Sequence, residues 1–384
     1  MLEKYRQQLF DCSRCGFCRL WGWSGVENVC PTYPFTAGWE THYARGRVRL
    51  AQATLDGEVE ISEQLLEHAY VCTLCGSCEA HCPVGLPLNE IFHAWRADLA
   101  EGGHALPEHE QIITVMRRYL NPYGPQMPQM KESESRQPDN ASVLYYPGCT
   151  TNRMAVEIVD AMTSILGKLD VDFALFQEDT CCGIPLYEIG QMSEAKDVAR
   201  QTLDLIHRYE PDILLTTCPA CFKAFQKIYP EELNFACDFE VQHITEFLLP
   251  RVSDRMAAIA RRVTWHDPCI LGRQLGMYDE PRELLRVIPS LEVVEMHSHR
   301  ENALCCGAGG GVYFCAQRTA RHAVGARLEQ AEATGAQQIV TSCPNCHVRF
   351  RQGTQSHRME VQAKSLAEII DEALEDEEPG DQEQ

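Results

Sequence analysis

No stretch of this sequence approaches the roughly 18 consecutive apolar residues that would carry a helix across a bilayer, so the chain is not expected to span a membrane by itself. Its opening residues, Met-Leu-Glu-Lys-Tyr-Arg-Gln-Gln, contain no apolar segment of the kind that directs export, and a reducing, cytoplasmic setting is expected. Positive charge is scarce. Against 55 Asp+Glu stand 34 Lys+Arg, a formal net charge of −21 over 384 residues. That field repels phosphate backbones and anionic lipid heads, which argues against nucleic acid and membrane surfaces as direct partners. The chain is nonetheless not polar enough to stay unfolded: 45% apolar residues suffice for real cores, and the length allows two or three domains.

What the chain has in quantity is cysteine, twenty residues of it. At about 5% this is too dilute for a small secreted disulfide scaffold. In a reducing compartment, closely spaced cysteines point to metal ligands or catalytic thiols. The first eight form two runs, Cys12, Cys15, Cys18, Cys30 and Cys72, Cys75, Cys78, Cys82. The second run is C-x2-C-x2-C-x3-C followed by Pro83, the bacterial ferredoxin spacing for a [4Fe–4S] cubane. A tight loop lets three thiolates reach three irons on one face of the cube while a more distant cysteine closes the fourth. In two-cluster ferredoxins the cysteine before proline serves the other cluster. That rule groups Cys12, Cys15, Cys18 and Cys82 around one cubane, and Cys72, Cys75, Cys78 and Cys30 around a second. The first run departs from the pattern, since residues 19–29, with Trp21, Gly22, Trp23 and Gly25, separate Cys18 from Cys30. We read them as an inserted loop, because Cys30 still precedes Pro31. Paired zinc knuckles are the competing reading of C-x2-C pairs, and the third cysteine at the same spacing in each run argues against it.

The remaining cysteines repeat. Cys149, Cys181–Cys182, Cys218 and Cys221 make one set; Cys269, Cys305–Cys306, Cys343 and Cys346 make the other, with corresponding members 120 to 125 residues apart. The flanks repeat as well: Cys-Cys-Gly183 answers Cys-Cys-Gly307, Thr-Cys-Pro-Ala-Cys221 answers Ser-Cys-Pro-Asn-Cys346, and Glu-Val-Gln242 answers Glu-Val-Gln362. This is an internal duplication. Cys237 and Cys315 stand outside it and read as ordinary buried thiols.

Each repeat alternates strand and helix. In the first, strands are expected at 143–146, 171–176 and 212–216, with helices over 154–169 and 191–209; in the second, strands at 262–265, 291–296 and 338–341. Continuous apolar strands joined by helices predict parallel sheets covered on both faces, with the cysteines just past the strand C-ends, where such sheets bind ligands. The N-terminal part reads as mostly helical, with helices at 61–70 and 89–101. The fold class is thus α+β overall: an α-helical dicluster ferredoxin module over 1–120, a linker over 121–141 with Pro122, Pro125 and Pro128, α/β repeats over 142–252 and 253–370, and an acidic tail over 371–384.

The spacing C-x31-CC-x35-C-x2-C, then C-x35-CC-x36-C-x2-C, resembles the duplicated cysteine-rich CCG domain of heterodisulfide reductases. A ferredoxin module followed by two such domains, over about residues 8 to 370, resembles the D subunit of heterodisulfide reductases and the iron–sulfur subunits of glycolate, lactate and glycerol-3-phosphate dehydrogenases. The resemblance implies one or two noncubane [4Fe–4S] clusters, one held by Cys149, Cys181, Cys182, Cys218 and Cys221, the other by Cys269, Cys305, Cys306, Cys343 and Cys346. It implies disulfide reduction, two one-electron clusters serving a two-electron step. The alternative is an electron-transfer subunit for a flavin-dependent 2-hydroxy acid or glycerol-3-phosphate dehydrogenase. In both, flavoprotein or cytochrome-type membrane subunits are the expected partners in a hetero-oligomer.

Several further residues invite a role. Gly307-Ala-Gly309-Gly310-Gly311 lacks both G-x-G-x-x-G and a P-loop lysine, and is expected to offer backbone N–H groups to a cluster beside Cys306. His81, His266 and His347 lie next to ligand cysteines, as proton donors or as packing residues. Arg45, Arg47 and Arg49 are expected to form a basic stripe that offsets cluster charge or receives an acidic partner.

Overall fold

The computed structural model describes residues 1–19, 29–125, 141–252 and 255–375. Trp21, Gly22, Trp23 and Gly25 of the expected insertion, Pro128 with the polar segment 131–140, and tail residues 376–384 lie outside them.

The first part of the chain is built from helices Arg6–Asp11, Ala44–Leu55, Glu63–Tyr70, Leu88–Glu101 and Pro107–Tyr119. Ser62 caps the third, its Oγ accepting from Leu65 N at 3.3 Å, and Pro107 opens the last at the position where a missing N–H costs nothing. Leu88–Glu101 is the central element. Its Ile91, Trp95 and Leu99 recur every fourth residue, and all three are buried with Phe92 against Tyr70, Leu66, Val48 and Met116.

Each repeat forms a four-stranded parallel sheet. The first has β1 (Val143–Tyr145), β2 (Phe173–Leu175), β3 (Ile213–Thr216) and β4 (Glu240–His243) in the order β2-β1-β3-β4. The second has β5 (Arg261–Trp265), β6 (Leu291–Val294), β7 (Gln338–Thr341) and β8 (Gln362–Ser365) in the order β6-β5-β7-β8. The expected strands are present, a residue or two shorter at some ends. The edge strand β4 carries the first Glu-Val-Gln, and β8 begins at the Gln that ends the second, Gln362.

Both faces of the first sheet are covered. Leu144 and Tyr146 face a core shared with the N-terminal helices, while Val143 and Tyr145 face one shared with the second repeat. The repeats are joined reciprocally. Helix Leu366–Ala373, after β8, packs on Val156–Lys168, between β1 and β2; helix Ile244–Val252, after β4, packs on Glu280–Arg286, between β5 and β6. Each repeat thus closes the core of the other. Among the described residues no helix is long and apolar enough to cross a membrane.

β4 ends at His243, fully buried with Nδ1 2.8 Å from Thr245 Oγ1. Burial drops its pKa to about 3. An unfolded chain takes up that proton near pH 6.5 and the folded chain does not, so stability is full above about pH 6.5 and falls as pH drops toward the folded value. We expect His243→Asn to remove up to ~1.4 kcal/mol per pH unit of this slope, read as a smaller difference between anaerobic unfolding midpoints at pH 7.5 and 5.5.

Candidate cluster sites

Cys12, Cys15 and Cys18 follow helix Arg6–Asp11, and Gly16 at φ +83° turns the chain between them. Cys82 meets these three, with Arg45 and Pro83, around one small cavity. Cys72, Cys75 and Cys30 surround Cys78, whose thiol is pushed well up, first by burial and then by these neighbours. Cys18 is the next charge-bearing neighbour of Cys78, so the two groups of four adjoin. Burial, with Cys12, Cys15 and Cys30 adding to it, pushes Cys18 up to about 12.

The expected basic stripe is corrected. Arg45, Arg47 and Arg49 lie on helix Ala44–Leu55, where residues two apart point about 200° from each other. Arg47 is buried, donating to His68 O at 2.9 Å, to Val71 O and, at 4.0 Å, to Cys30 Sγ. Arg45 pairs with Glu40 beside the first cavity, and Arg49 turns to Gln52. One cation thus serves each group of four, and the three do not make one docking face.

In the repeats, order β2-β1-β3-β4 reverses direction between β1 and β3, which opens a crevice at their C-ends. Cys149 lies past β1, Cys181–Cys182 past β2 and Cys218 past β3. Gly148, at φ +80°, is required, since a Cβ there would stand 2.9 Å from Cys221 Sγ. Pro219 and Pro344 each open a helix directly after a cysteine, which sets Cys218 and Cys221, and likewise Cys343 and Cys346, on the first turn. Sulfur contacts run through each repeat in the same order: Cys149 to Cys181 at 3.5 Å, then Cys182, Cys221 and Cys218; Cys269 to Cys305, Cys306, Cys346 at 3.2 Å and Cys343. Hydrogen bonds from neighbouring thiols, and burial, hold Cys181, Cys221, Cys305 and Cys346 well above the ordinary thiol range.

All five cysteines of the first set line one cavity of about 110 Å³, and Cys269, Cys306, Cys343 and Cys346 line the same cavity from the other side. Reciprocal packing of the repeats turns the two crevices, each at the strand C-ends of its own sheet, toward each other. Cys305 faces elsewhere. It hydrogen-bonds to Cys75 of the second ferredoxin-type run, in reach of the Arg273 guanidinium, which donates from Nε to Cys75 O at 2.7 Å. The glycine-rich loop makes this approach close: a Cβ on Gly310 would lie 2.2 Å from Cys72 O, and one on Gly309 2.7 Å from Thr73 O. The loop's N–H groups serve as expected in part, Gly307 N donating to Cys305 Sγ at 3.4 Å while Gly310 N donates to a carboxylate, Glu188, at 2.8 Å.

Five buried thiols in mutual contact cannot all ionise without a cation, and the ligating form of each is the thiolate. A polyferric cluster supplies that charge, so the donor set fits iron–sulfur ligation. Among the described residues no three His, Cys, Asp or Glu side chains converge on a point suited to a single ion; the thiols ring spaces instead.

His81, His266 and His347 do not line the cavity. His81 bridges Ser77 O (2.7 Å) and Asn302 Oδ1 (2.8 Å), His266 accepts from Arg327 at 3.0 Å, and His347 bonds Glu157 at 2.9 Å, all packing roles. Cys237 and Cys315 are half-buried and line neither cysteine cavity. Glu188, missed in the sequence, does line the cavity.

The cysteine-rich domain family, CCG, matches residues 143–226 and 263–351, and the 4Fe-4S dicluster domain family matches residues 8–86. The chain is 31% identical to the D subunit of the dihydromethanophenazine:CoB--CoM heterodisulfide reductase of Methanosarcina mazei, over 96% of this chain and 94% of that one. It is 28% identical to the B subunit of the fumarate reductase (CoM/CoB) of Methanothermobacter marburgensis, over 81% of this chain and 62% of that one. A crystal structure of a hypothetical protein from Helicobacter pylori superposes with a TM-score of 0.57 at 10% identity, covering 98% of this chain and 72% of that one, which is a likeness of fold alone.

Proposed function

The chain belongs to the family of iron–sulfur oxidoreductase subunits that includes the D subunit of heterodisulfide reductases, and from that premise we propose that it reduces a disulfide held in the cavity between its repeats. The observation that carries this reading is the shared cavity, into which nine of the ten repeat cysteines face from two sides. Cys12, Cys15, Cys18 and Cys82, and Cys72, Cys75, Cys78 and Cys30, would hold cubane [4Fe–4S] clusters; each set of five repeat cysteines would hold a noncubane one. Bound there, the clusters supply one-electron transfer, and two of them serve the two electrons a disulfide needs.

The chain's own residues do the rest. Pro122, Ile184 and Phe314 give the cavity apolar walls that exclude water around the reacting sulfurs. Thr150 donates to Asn345 Oδ1 at 3.0 Å across the repeats and fixes the width of the gap. Cys305, in contact with Cys75, joins the second set to the ferredoxin-type run. Arg273 lies beside Cys75, Cys269 and Cys305, so its positive charge favours the reduced, more negative state on both sides of that contact. The electron donor would sit on another subunit, of flavoprotein or cytochrome type.

Protein purified and loaded without oxygen is expected to carry about sixteen irons per chain, four for each of four clusters. Mostly zinc would sink the reading. With reduced viologen as donor, the loaded chain is expected to cleave a disulfide to two thiols. Reduction of the chain by a co-purifying flavoprotein with a hydroxy acid, and no disulfide cleavage, would make it an electron-transfer component instead.

A further inference from the structure

Glu188 ends the short helix Ile184–Glu188 and lines two cavities at once. One is the cysteine cavity. The other, of about 270 Å³, lies between the N-terminal helices and the first repeat. It is strongly polar. Its rim carries the exposed residues Lys4, Glu90, Lys227 and Glu232, so it opens to solvent. Inside, Tyr187 donates to Glu232 at 2.7 Å, Tyr5 to Glu90 at 2.7 Å, and Lys223 to Gln274 at 2.8 Å. His93, stacked on Tyr187, is kept neutral by burial.

We propose that Glu188 carries protons from this solvent-connected cavity to the sulfurs reduced in the cysteine cavity. The proposal rests on the disulfide-reducing reading and names how that site is supplied. The balance requires it: R–S–S–R′ + 2 e⁻ + 2 H⁺ gives R–SH + R′–SH. Electrons come one at a time from a low-potential donor through the clusters, the S–S bond breaks, and each sulfur must gain a proton inside a pocket whose lining, among the described residues, holds Glu188 as its one carboxyl and no imidazole. His81, His266 and His347 lie off the pocket. Glu188 lies on it, and the same carboxyl borders the wet side.

The surroundings suit exchange. Burial favours the neutral acid, and the Cys182 charge acts the same way; Gly310 N, Lys223 and Arg96 act against them. With opposing influences from every side, the carboxyl is held above the ordinary carboxylate range without being fixed there. Gly310 N anchors Oε2 at 2.8 Å, and no other bond to the carboxylate is seen among the described residues, which leaves Oε1 to turn between the cavities. The duplication marks the position too. Six residues after Cys182 stands Glu188, and six after Cys306 stands Val312. One repeat admits protons, and the other, in contact with Cys75, admits electrons.

The test uses the full, cluster-loaded chain with Glu188→Gln, which keeps shape and still accepts from Gly310 N. We expect kcat for viologen-driven disulfide cleavage to fall about 100-fold with KM unchanged, the alkaline limb of the pH profile that Glu188 sets as a proton donor to vanish, and Glu188→Asp to recover part of the rate. Independently of turnover, the reduced-minus-oxidised infrared spectrum should contain the stretch of a protonated carboxyl, absent in Glu188→Gln. Wild-type rate and pH profile in Glu188→Gln would overturn the relay. If the wild-type chain cleaves no disulfide, that reading fails by itself, and the infrared band then decides: its presence supports a proton taken up with reduction at Glu188, its absence overturns that as well.

Discussion

Replacing Cys306 with serine is expected to lower disulfide cleavage by at least about 100-fold, a loss of about 2.7 kcal/mol or more of transition-state stabilisation. Cys306 is the middle of the second sulfur chain, with Cys305 on one side and Cys346 on the other, and it faces the shared cavity. Its two neighbours hydrogen-bond to it and hold its thiol well below the ordinary range, while Cys305 and Cys346 are themselves held above it, so it ionises ahead of both. Serine cannot supply a soft thiolate at that point. The effect should be confined. Electron paramagnetic resonance should lose the signal perturbed by added thiol, while reduced cubane signals from the N-terminal part stay. Cys237→Ser, half-buried and away from the cysteine cavities, should leave turnover within about twofold. Turnover and a thiol-perturbed signal that both survive Cys306→Ser would remove the second set from the chemistry.

Much of this arrangement is legible in residue spacing. The cysteine groups, the duplication and the parallel sheets follow from local patterns: C-x2-C runs, Cys-Cys-Gly, and apolar strands such as Ile213–Thr216. The edge strands β4 and β8 are not, because Glu240–His243 and Gln362–Ser365 carry polar residues that no strand template selects, whereas the more apolar edge strands β2 and β6 are. Arg45, Arg47 and Arg49 mislead because closeness in sequence suggests a shared face, and only the helix they occupy shows that Arg47 points away from the other two, into the interior. The convergence of both sets on one cavity is a property of the reciprocal packing of 156–168 with 366–373 and 244–252 with 280–286, and spacing holds no record of it. Glu188 hides among 55 acidic residues. Aligning the repeats on their Cys-Cys-Gly segments singles it out, since its counterpart is Val312.

Arg96→Met is expected to have the largest effect on the fold. Arg96 lies on helix Leu88–Glu101 at 0% exposure, and no carboxylate pairs with it among the described residues. Its guanidinium instead binds main-chain carbonyls from three parts of the molecule: Ala69 O at 2.8 Å and Cys72 O at 2.6 Å before and within the second cysteine run, Glu188 O at 2.9 Å in the first repeat, and Gly310 O at 3.0 Å in the second. The ring of Tyr70 lies 5.1 Å below it. Methionine fills similar space and satisfies none of these oxygens, and each buried carbonyl left unpaired costs about 1–3 kcal/mol before relaxation. Summed costs are not additive where the loops can shift, so a net loss of about 3–5 kcal/mol is expected. Because cluster proteins unfold irreversibly, the measurement is a rate: iron release at fixed temperature under argon, with acceleration of about 100-fold where the lost bonds are made after the unfolding transition state. The iron nearest Cys72 should leave first. A shift below about threefold would mean that the three parts are held by their apolar cores alone. The same change should couple to chemistry, because Arg96 fixes both the carbonyl of Cys72, beside the proposed electron route, and that of Glu188, on the proposed proton route. One buried cation thereby sets the relative position of both routes, and its loss should slow turnover in the fraction of molecules that still hold all their iron.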